Sequence, residues 1–394
     1  MDLKEELEML RGESIQMFDG EFADIPCIET SNAEKLCKHP IVSVHMITYN
    51  HESYIRQAIE GVMKQKTDFE FELVIGEDCS KDKTREICFE YQEKYPDKIR
   101  VLWWHENVSR FGGNGRRVTA HCRGKFIAFC EGDDWWTDEY KLQHQVDAFR
   151  KYPSAGLCFT QSEVFNEMTG VTQLWSGDAF SVGLIPGFTF FMWLGFGKRR
   201  IARKLGPESF IMTATVMVCH DVYKRAMQEY DIFKWNLLVG DSTLWLGVSS
   251  FADVIFLKKC TSVYRQNNTG VTQRAKAKVS RDSLIVRMYY AVKALGASLD
   301  EVLWHLRNIY AQIFFCYVSE QEDFKIRKDL VNHILANSRL RRLFHLWRYY
   351  FLLLMMRIGL RGPFFKLWGS RFVLQLPIWH DKTDVFNKFY DKID

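Results

Sequence analysis

The chain has 394 residues, 47% of them hydrophobic and 26% charged, with a formal net charge of +4 at pH 7. That length holds one large domain or a domain with an appendage, and the composition excludes an intrinsically disordered chain. The small net charge gives no general attraction to nucleic acid, which requires clustered charge.

The N-terminus, Met1-Asp2-Leu3-Lys4-Glu5-Glu6, is charged and lacks the apolar core of a signal peptide, so a cytoplasmic protein is expected. Leu3, Leu7 and Leu10 recur at helical spacing. Residues 1–38 therefore read as a helical extension, solvent-facing or dimerising, with loop after the helix. Residues 41–47 are apolar and β-branched, as in a strand buried on both faces, and Thr48-Tyr49-Asn50-His51 breaks the run. Ile55, Ala58, Ile59, Val62 and Met63 fall on one face of a helix over 54–66. A second strand is expected over 69–75, a turn at Glu77-Asp78-Cys79-Ser80, a helix over 84–95 and a third strand over 99–104. The loop Gly112-Gly113-Asn114-Gly115 leads to a short basic helix over 116–122 and a fourth strand over 126–130. Four alternations of strand and helix argue for a parallel α/β sheet, whose ligands bind beyond the carboxyl ends of the strands. The loops at 48–51, 76–80 and 131–136 are therefore the places to seek a site.

Beyond Pro153, strands fit 156–160, 212–219 and 254–257, and helices open at Asp221 and Asp241. From about residue 275 the chain reads as helical, with basic and aromatic faces. The ten cysteines form no C-x-x-C pair, which argues against a zinc ribbon. Cys130, Cys158 and Cys219 lie in apolar runs and read as buried, reduced thiols. Two basic clusters stand out, at 198–204 and 339–357. With the neighbouring aromatic segments 188–193 and 347–356, they are candidates for contact with the inner face of a membrane. For the second, packing of a helical subdomain on the core is the competing reading. The apolar run 349–356 is far shorter than the ~20 residues needed to span a bilayer.

The strongest chemical signal is Glu131-Gly132-Asp133-Asp134, directly after a buried strand. Carboxylates crowded at one strand end repel one another unless a cation joins them, and hard divalent metals take such oxygens together with substrate phosphates. A turn with an aspartate capping the next helix is the structural alternative. Asp78, in the neighbouring acidic turn, suits a hydrogen bond from the N–H of a base such as uracil; an Asx-type turn is its alternative, with Ser80 and Asp82 capping the next helix. Trp135 and Trp136 either stack on a sugar ring or fill the core. Tyr264 and Arg265 fit a diphosphate or a surface ion pair.

In order along the chain, Val44-His45-Met46-Ile47-Thr48-Tyr49-Asn50-His51, then Val74-Ile75-Gly76-Glu77-Asp78-Cys79-Ser80, then Arg123-Gly124-Lys125-Phe126-Ile127-Ala128-Phe129-Cys130-Glu131-Gly132-Asp133-Asp134-Trp135-Trp136 resembles glycosyltransferase family 2 over about residues 41–165. Shorter stretches follow at Val239-Gly240-Asp241-Ser242 and Val263-Tyr264-Arg265-Gln266-Asn267. The resemblance implies inverting enzymes of the GT-A fold, an α/β architecture with a mostly parallel sheet, flanking helices and here a C-terminal helical region. It implies that Thr48, Tyr49 and Asn50 lie in the first nucleotide-contacting loop, that Asp78 reads the base, and that Asp133 and Asp134 serve the metal and diphosphate. Asp241 then matches the general base, with capping of its own helix as the alternative. Arg116, Trp135 and Arg265 are the further donor-binding candidates. Glu131 and Glu77 stand where the family usually has aspartate.

A divalent cation, Mn2+ or Mg2+, would neutralise the leaving diphosphate, and a carboxylate must take the proton of the weakly nucleophilic acceptor hydroxyl. The implied partners are a nucleotide-diphosphate sugar, a UDP-sugar favoured, and a glycan or lipid-linked acceptor. The expected boundaries are 1–38 for the extension, 39–272 for the catalytic domain (39–150 nucleotide half, 151–272 acceptor half) and 273–394 for the helical region. A nucleotidyltransferase is disfavoured because no glycine-rich basic loop follows the first strand. A non-catalytic binding module is disfavoured by the intact acids.

Overall fold

The computed structural model describes residues 2–18, 26–109, 113–175, 182–196, 211–267, 270, 275–302, 325 and 328–332. The chain forms two compact units, one of Met1–Ile15, Leu237–Val239 and Val271–Asp394, the other of Gln16–Asn236 and Gly240–Gly270.

The first unit opens with α1 (Leu3–Arg11). The Asp2 carboxylate accepts from the Glu5 N–H at 2.8 Å, and Glu5 accepts from the Asp2 N–H at 3.0 Å. This reciprocal pair satisfies two of the helix's free N-terminal donors. Leu7 and Leu10 are fully buried, so α1 is a packed element and not the solvent-facing extension its charge suggested.

The second unit carries an eleven-stranded sheet. In chain order its elements are β1 (Ile28–Thr30), β2 (Val42–Thr48), α2 (Ile55–Met63), β3 (Phe71–Glu77), α3 (Thr84–Lys94), β4 (Ile99–Trp103), α4 (Asn114–His121), β5 (Phe126–Phe129), β6 (Trp135–Trp136), α5 (Lys141–Lys151), β7 (Ala155–Asn166), β8 (Val171–Trp175), β9 (Gly183–Ile185), α6 (Gly187–Phe196), β10 (Met217–Cys219), α7 (His220–Glu229), α8 (Gly240–Ser249) and β11 (Asp253–Gln266). The first unit resumes with α9 (Lys276–Lys293), tied to α1 by Arg11, whose Nε donates to Asp282 at 3.0 Å.

The strand order is β1-β4-β3-β2-β5-β10-β7-β11-β6, with β8 on β7 and β9 on β11. Strands β4, β3, β2 and β5 are mutually parallel. The short β10 runs antiparallel to both β5 and β7, and β7 is parallel to β11. Two antiparallel steps restore direction, so the carboxyl ends of β2, β3, β5, β7 and β11 share one edge of the sheet. Val42, Val44, Met46, Leu73, Ile75 and Ala128 pack against Ile55, Ala58, Ile59 and Val62 of α2 in the main core.

The opposite edge is held by charge. Glu72 is fully buried and accepts from Ser43 Oγ at 2.6 Å and from Arg123 Nη2 at 2.6 Å, with Arg100 at 3.3 Å. Arg100 also reaches Glu29 on β1. That pair, with the antiparallel register of β1 on β4, makes a strand where the sequence had suggested loop.

Other expectations shift in extent. The strand expected over 212–219 is a 3₁₀ turn, Thr213–Thr215, followed by β10. Strands β7 and β11 run for 12 and 14 residues, well past the apolar stretches that announced them. The described cysteines are all free. Among the described residues no helix is long and apolar enough to cross a membrane. The basic clusters at 198–204 and 339–357 and the aromatic run 347–356 lie outside the described residues.

Candidate active site

Strand β2 ends at Thr48, and the chain turns through Asn50 in the left-handed region (φ 55°). Asparagine tolerates that conformation, and here its side chain secures it. Asn50 Oδ1 accepts from Lys81 N–H at 2.8 Å, and Asn50 N–H donates to Ser80 Oγ at 3.0 Å. The Thr48 carbonyl accepts from Asp78 N–H at 3.1 Å, which joins the loops after β2 and β3 side by side. Ser80 thus braces the first loop. Asp82 alone takes the capping role expected of both residues, accepting from Thr84 N–H at 3.0 Å. Tyr49 is exposed.

The two acids of the second loop have different partners. Glu77 is fully buried, accepts from Ser80 N–H at 2.6 Å and pairs with Arg85, whose guanidinium lies 4.8 Å over the Trp103 ring. Asp78, also fully buried, accepts from Val108 N–H at 2.7 Å, from Ser109 N–H at 3.2 Å and from the Ser109 hydroxyl. Burial pushes its pKa up while these bonds oppose the shift. Asp78 therefore anchors the segment 107–109 beside the expected base site.

The acidic loop follows β5. Cys130 N–H donates to the His45 carbonyl at 3.0 Å and Gly132 N–H to the Ile47 carbonyl at 2.9 Å, so the loop lies along the end of β2. A Cβ on Gly132 would sit 2.8 Å from Thr48 Oγ1 and 2.9 Å from His51 Nδ1, which is why glycine stands between the acids. Asp133 Oδ2 accepts from Asn267 Nδ2 at 3.3 Å and faces His51 Nε2 at 4.0 Å. Asp134 is buried, and its Oδ1 accepts from Arg265 N–H at 2.9 Å.

Asp241 sits in the first turn of α8, where its Oδ1 accepts from Ser242 N–H at 2.6 Å. Burial nonetheless raises its pKa. Glu131 is pushed up to about 8, by burial first and then by the charges of Asp133 and Asp241. Asp134 is pushed well above the carboxylate range by burial and then by Asp133. The charges of Asp133 and Asp241 both act on Glu131, although Asp241 comes from a helix more than a hundred residues later. Crowded, desolvated carboxylates of this kind mark a functional site more often than a structural one.

Asp133 Oδ1 and Asp134 Oδ2 accept no hydrogen bond among the described residues. Hard oxygen donors with free lone pairs suit Mn2+ or Mg2+, which complete their shells with substrate phosphates and water. Among the described residues no three His, Cys, Asp or Glu side chains are grouped to hold a metal alone. Asp133 and Asp134 are the residues here that would hold such a cation.

Two other expected donor residues, Arg116 and Trp135, make contacts within the protein, as does Trp136. The Arg116 guanidinium donates to the Trp235 carbonyl at 2.7 Å, and burial pulls its pKa down to about 10. Trp135 has its ring under the Arg265 guanidinium, at 4.6 Å, and against Phe165. Trp136 belongs to the core, its Nε1 donating to the Ala214 carbonyl at 3.0 Å. Sequence reading passed over Gln57 and Tyr54, which reach Arg265 from α2 and the residue just before it. Their helical pattern signals only that α2 has an outer face.

Residues 43–225 match the model of the family described as Glycosyl transferase family 2. The chain is 30% identical over 234 residues to an uncharacterized protein of Mycobacterium tuberculosis, covering 59% of this chain and 61% of that relative's length. It is 32% identical over 121 residues to the putative teichuronic acid biosynthesis glycosyltransferase TuaG of Bacillus subtilis, covering 31% of this chain and 46% of TuaG. The solved structure of S. aureus TarS 1–349 in complex with UDP-GlcNAc has the same fold, with a TM-score of 0.53 and 18% identity over 87% of this chain and 94% of that one.

Proposed function

Because residues 43–225 match the model of glycosyltransferase family 2, we propose that the chain moves a sugar from a nucleoside diphosphate donor to an acceptor hydroxyl, inverting the anomeric carbon in one step. The observation that carries this reading is the gathering of Glu131, Asp133 and Asp134 after β5, with Asp241 within electrostatic reach of Glu131. Thr48, Tyr49 and Asn50 form the rim of the donor site, and Asp78, through the 107–109 segment it holds, sets the side that meets the base. Asp133 and Asp134 are the residues to hold a divalent cation, which when bound offsets the charge that develops on the departing diphosphate. Asp241 accepts the proton of the attacking hydroxyl. Its raised pKa suits that task, since a carboxylate with a low pKa is a weak base.

A UDP-sugar is the favoured donor, in keeping with the nucleotide bound to the TarS structure. A glycan or lipid-linked acceptor is favoured, and the teichuronic acid biosynthesis in the name of TuaG is in keeping with a role in polysaccharide synthesis.

The test incubates the full chain with Mn2+ and a panel of nucleotide sugars, reading thermal shift and release of nucleoside diphosphate. A UDP-sugar is expected to raise the melting temperature and to be hydrolysed slowly without acceptor. No shift and no release with any donor would sink the reading. Pyrophosphate released from a nucleoside triphosphate would redirect it to nucleotidyl transfer, and salt-sensitive RNA binding without nucleotide-sugar binding to a binding module.

A further inference from the structure

Arg265 lies near the end of β11, beside the acidic loop, and its guanidinium is held by hydrogen bonds, an ion pair and aromatic faces. Its Nε donates to the Asp133 carbonyl at 2.9 Å and its Nη2 to Gln57 Oε1 at 2.7 Å, while Nη1 stands 3.9 Å from Glu167 Oε1. The rings of Tyr54 and Trp135 each lie 4.6 Å from the guanidinium carbon, and Phe165 lies at 5.7 Å. Tyr54 in turn donates its hydroxyl to Glu167 at 3.0 Å. Only 9% of the residue is exposed. Its main-chain N–H holds Asp134 Oδ1, so one residue grips both acids of the pair, Asp133 through its carbonyl and Asp134 through its carboxylate.

The Nε and Nη2 edge of the guanidinium is committed in this way, while Nη1 makes an ion pair and no hydrogen bond among the described residues. Turning that edge to a diphosphate would require it to leave Gln57 and the Asp133 carbonyl together. The same contacts do fix the acidic loop against α2 and β7, two elements that do not themselves supply the acids. We propose that Arg265 is a positioning residue that holds Asp133 and Asp134 in the orientation a divalent cation needs, and not a ligand of the donor. The proposal rests on the glycosyltransferase reading of the site. Lysine cannot replace arginine here, because an ammonium lacks the planar fork that meets Asp133 and Gln57 together and stacks between two rings.

Two measurements on the wild type, R265K, R265Q and Gln57→Leu test it. The first is hydrogen exchange without ligand. Amides over 131–137 should exchange at least about tenfold faster in R265K and R265Q than in the wild type, with β2 and β3 unchanged, as expected when a local anchor is lost. The second is calorimetric titration of UDP at increasing Mn2+. Loss of an outer support is expected to raise the Mn2+ needed for half-maximal UDP binding by about 10–100-fold in R265K and R265Q. UDP affinity at saturating Mn2+ should stay near the wild-type value. Gln57→Leu, which touches the guanidinium and neither acid, should shift the Mn2+ midpoint in the same direction, and it decides the matter should the Arg265 variants melt at much lower temperature.

Unchanged exchange over 131–137, or an unchanged Mn2+ midpoint in every variant, overturns the proposal. So does a loss of UDP affinity in R265Q that persists at saturating Mn2+ with the midpoint unmoved, which would make the guanidinium a diphosphate ligand. A wild type that binds no UDP at any Mn2+ concentration defeats the functional reading instead, and the exchange measurement still decides whether Arg265 anchors the loop.

Discussion

Asp241 stands where two influences oppose each other. A carboxylate in the first turn of a helix is favoured by the free N–H groups there, and it takes one of them from Ser242. Burial acts against the charge and prevails, so its pKa lies above the usual carboxylate value. Only the deprotonated form accepts a proton from the acceptor. Transfer should therefore rise with pH through an apparent pKa above that of an ordinary aspartate. Asp241→Asn is expected to lower kcat by about 10²–10⁴-fold and to leave UDP binding intact, as read by steady-state kinetics beside calorimetry. The identities of these acids were legible along the chain, since both Glu131-Gly132-Asp133-Asp134 and Gly240-Asp241 stand out in the sequence. The cost of burying them was not, because desolvation depends on what packs around a group.

At the scale of the element, the sheet shows how an apolar pattern announces a strand but not its length. Strands β2 and β3 are buried almost throughout, and their apolar runs mark them closely. Strands β7 and β11 continue beyond their apolar halves through Gln161, Ser162 and Glu163 on one and Lys258, Lys259 and Cys260 on the other. Their pairing with each other, across register shifts, keeps the polar halves in the sheet. That extension brings Arg265 to the acidic loop, which periodicity alone could not reveal. The far edge of the sheet depends on Glu72 in the same way, a charge buried in a strand and satisfied by Ser43, Arg100 and Arg123. Glu72→Ala removes the buried acceptor that Ser43, Arg100 and Arg123 share, while Arg100 keeps Glu29, and is expected to cost about 1–3 kcal/mol, measurable by urea unfolding.

For the molecule as a whole, stability should follow the protonation of Lys141. Its ammonium is fully buried, with Gln145 Oε1 at 2.6 Å and the Trp136 ring at 4.5 Å, and burial pulls its pKa from 10.5 down to about 7. Between those values the unfolded chain keeps the proton and the folded chain has released it. The unfolded state binds more protons across that window, so this group makes stability rise with pH from about 7 towards 10.5. Lys141→Met should flatten that rise and make the protein more stable than the wild type below pH 7, as read by urea midpoints at a series of pH values. A rise of equal slope in the variant would assign it to other groups.

By itself the sequence determined the alternation of strand and helix, the loops that carry the acids and the resemblance to family 2, because those depend on local pattern and on the order of motifs. Tertiary structure alone decided that Arg116 turns to Trp235 and that Arg265 is enclosed between Tyr54 and Trp135. It also decided that Asp241 lies within electrostatic reach of Glu131. Those outcomes depend on which distant segments meet, and a side chain's partners, its burial and the protons it holds follow only from that meeting.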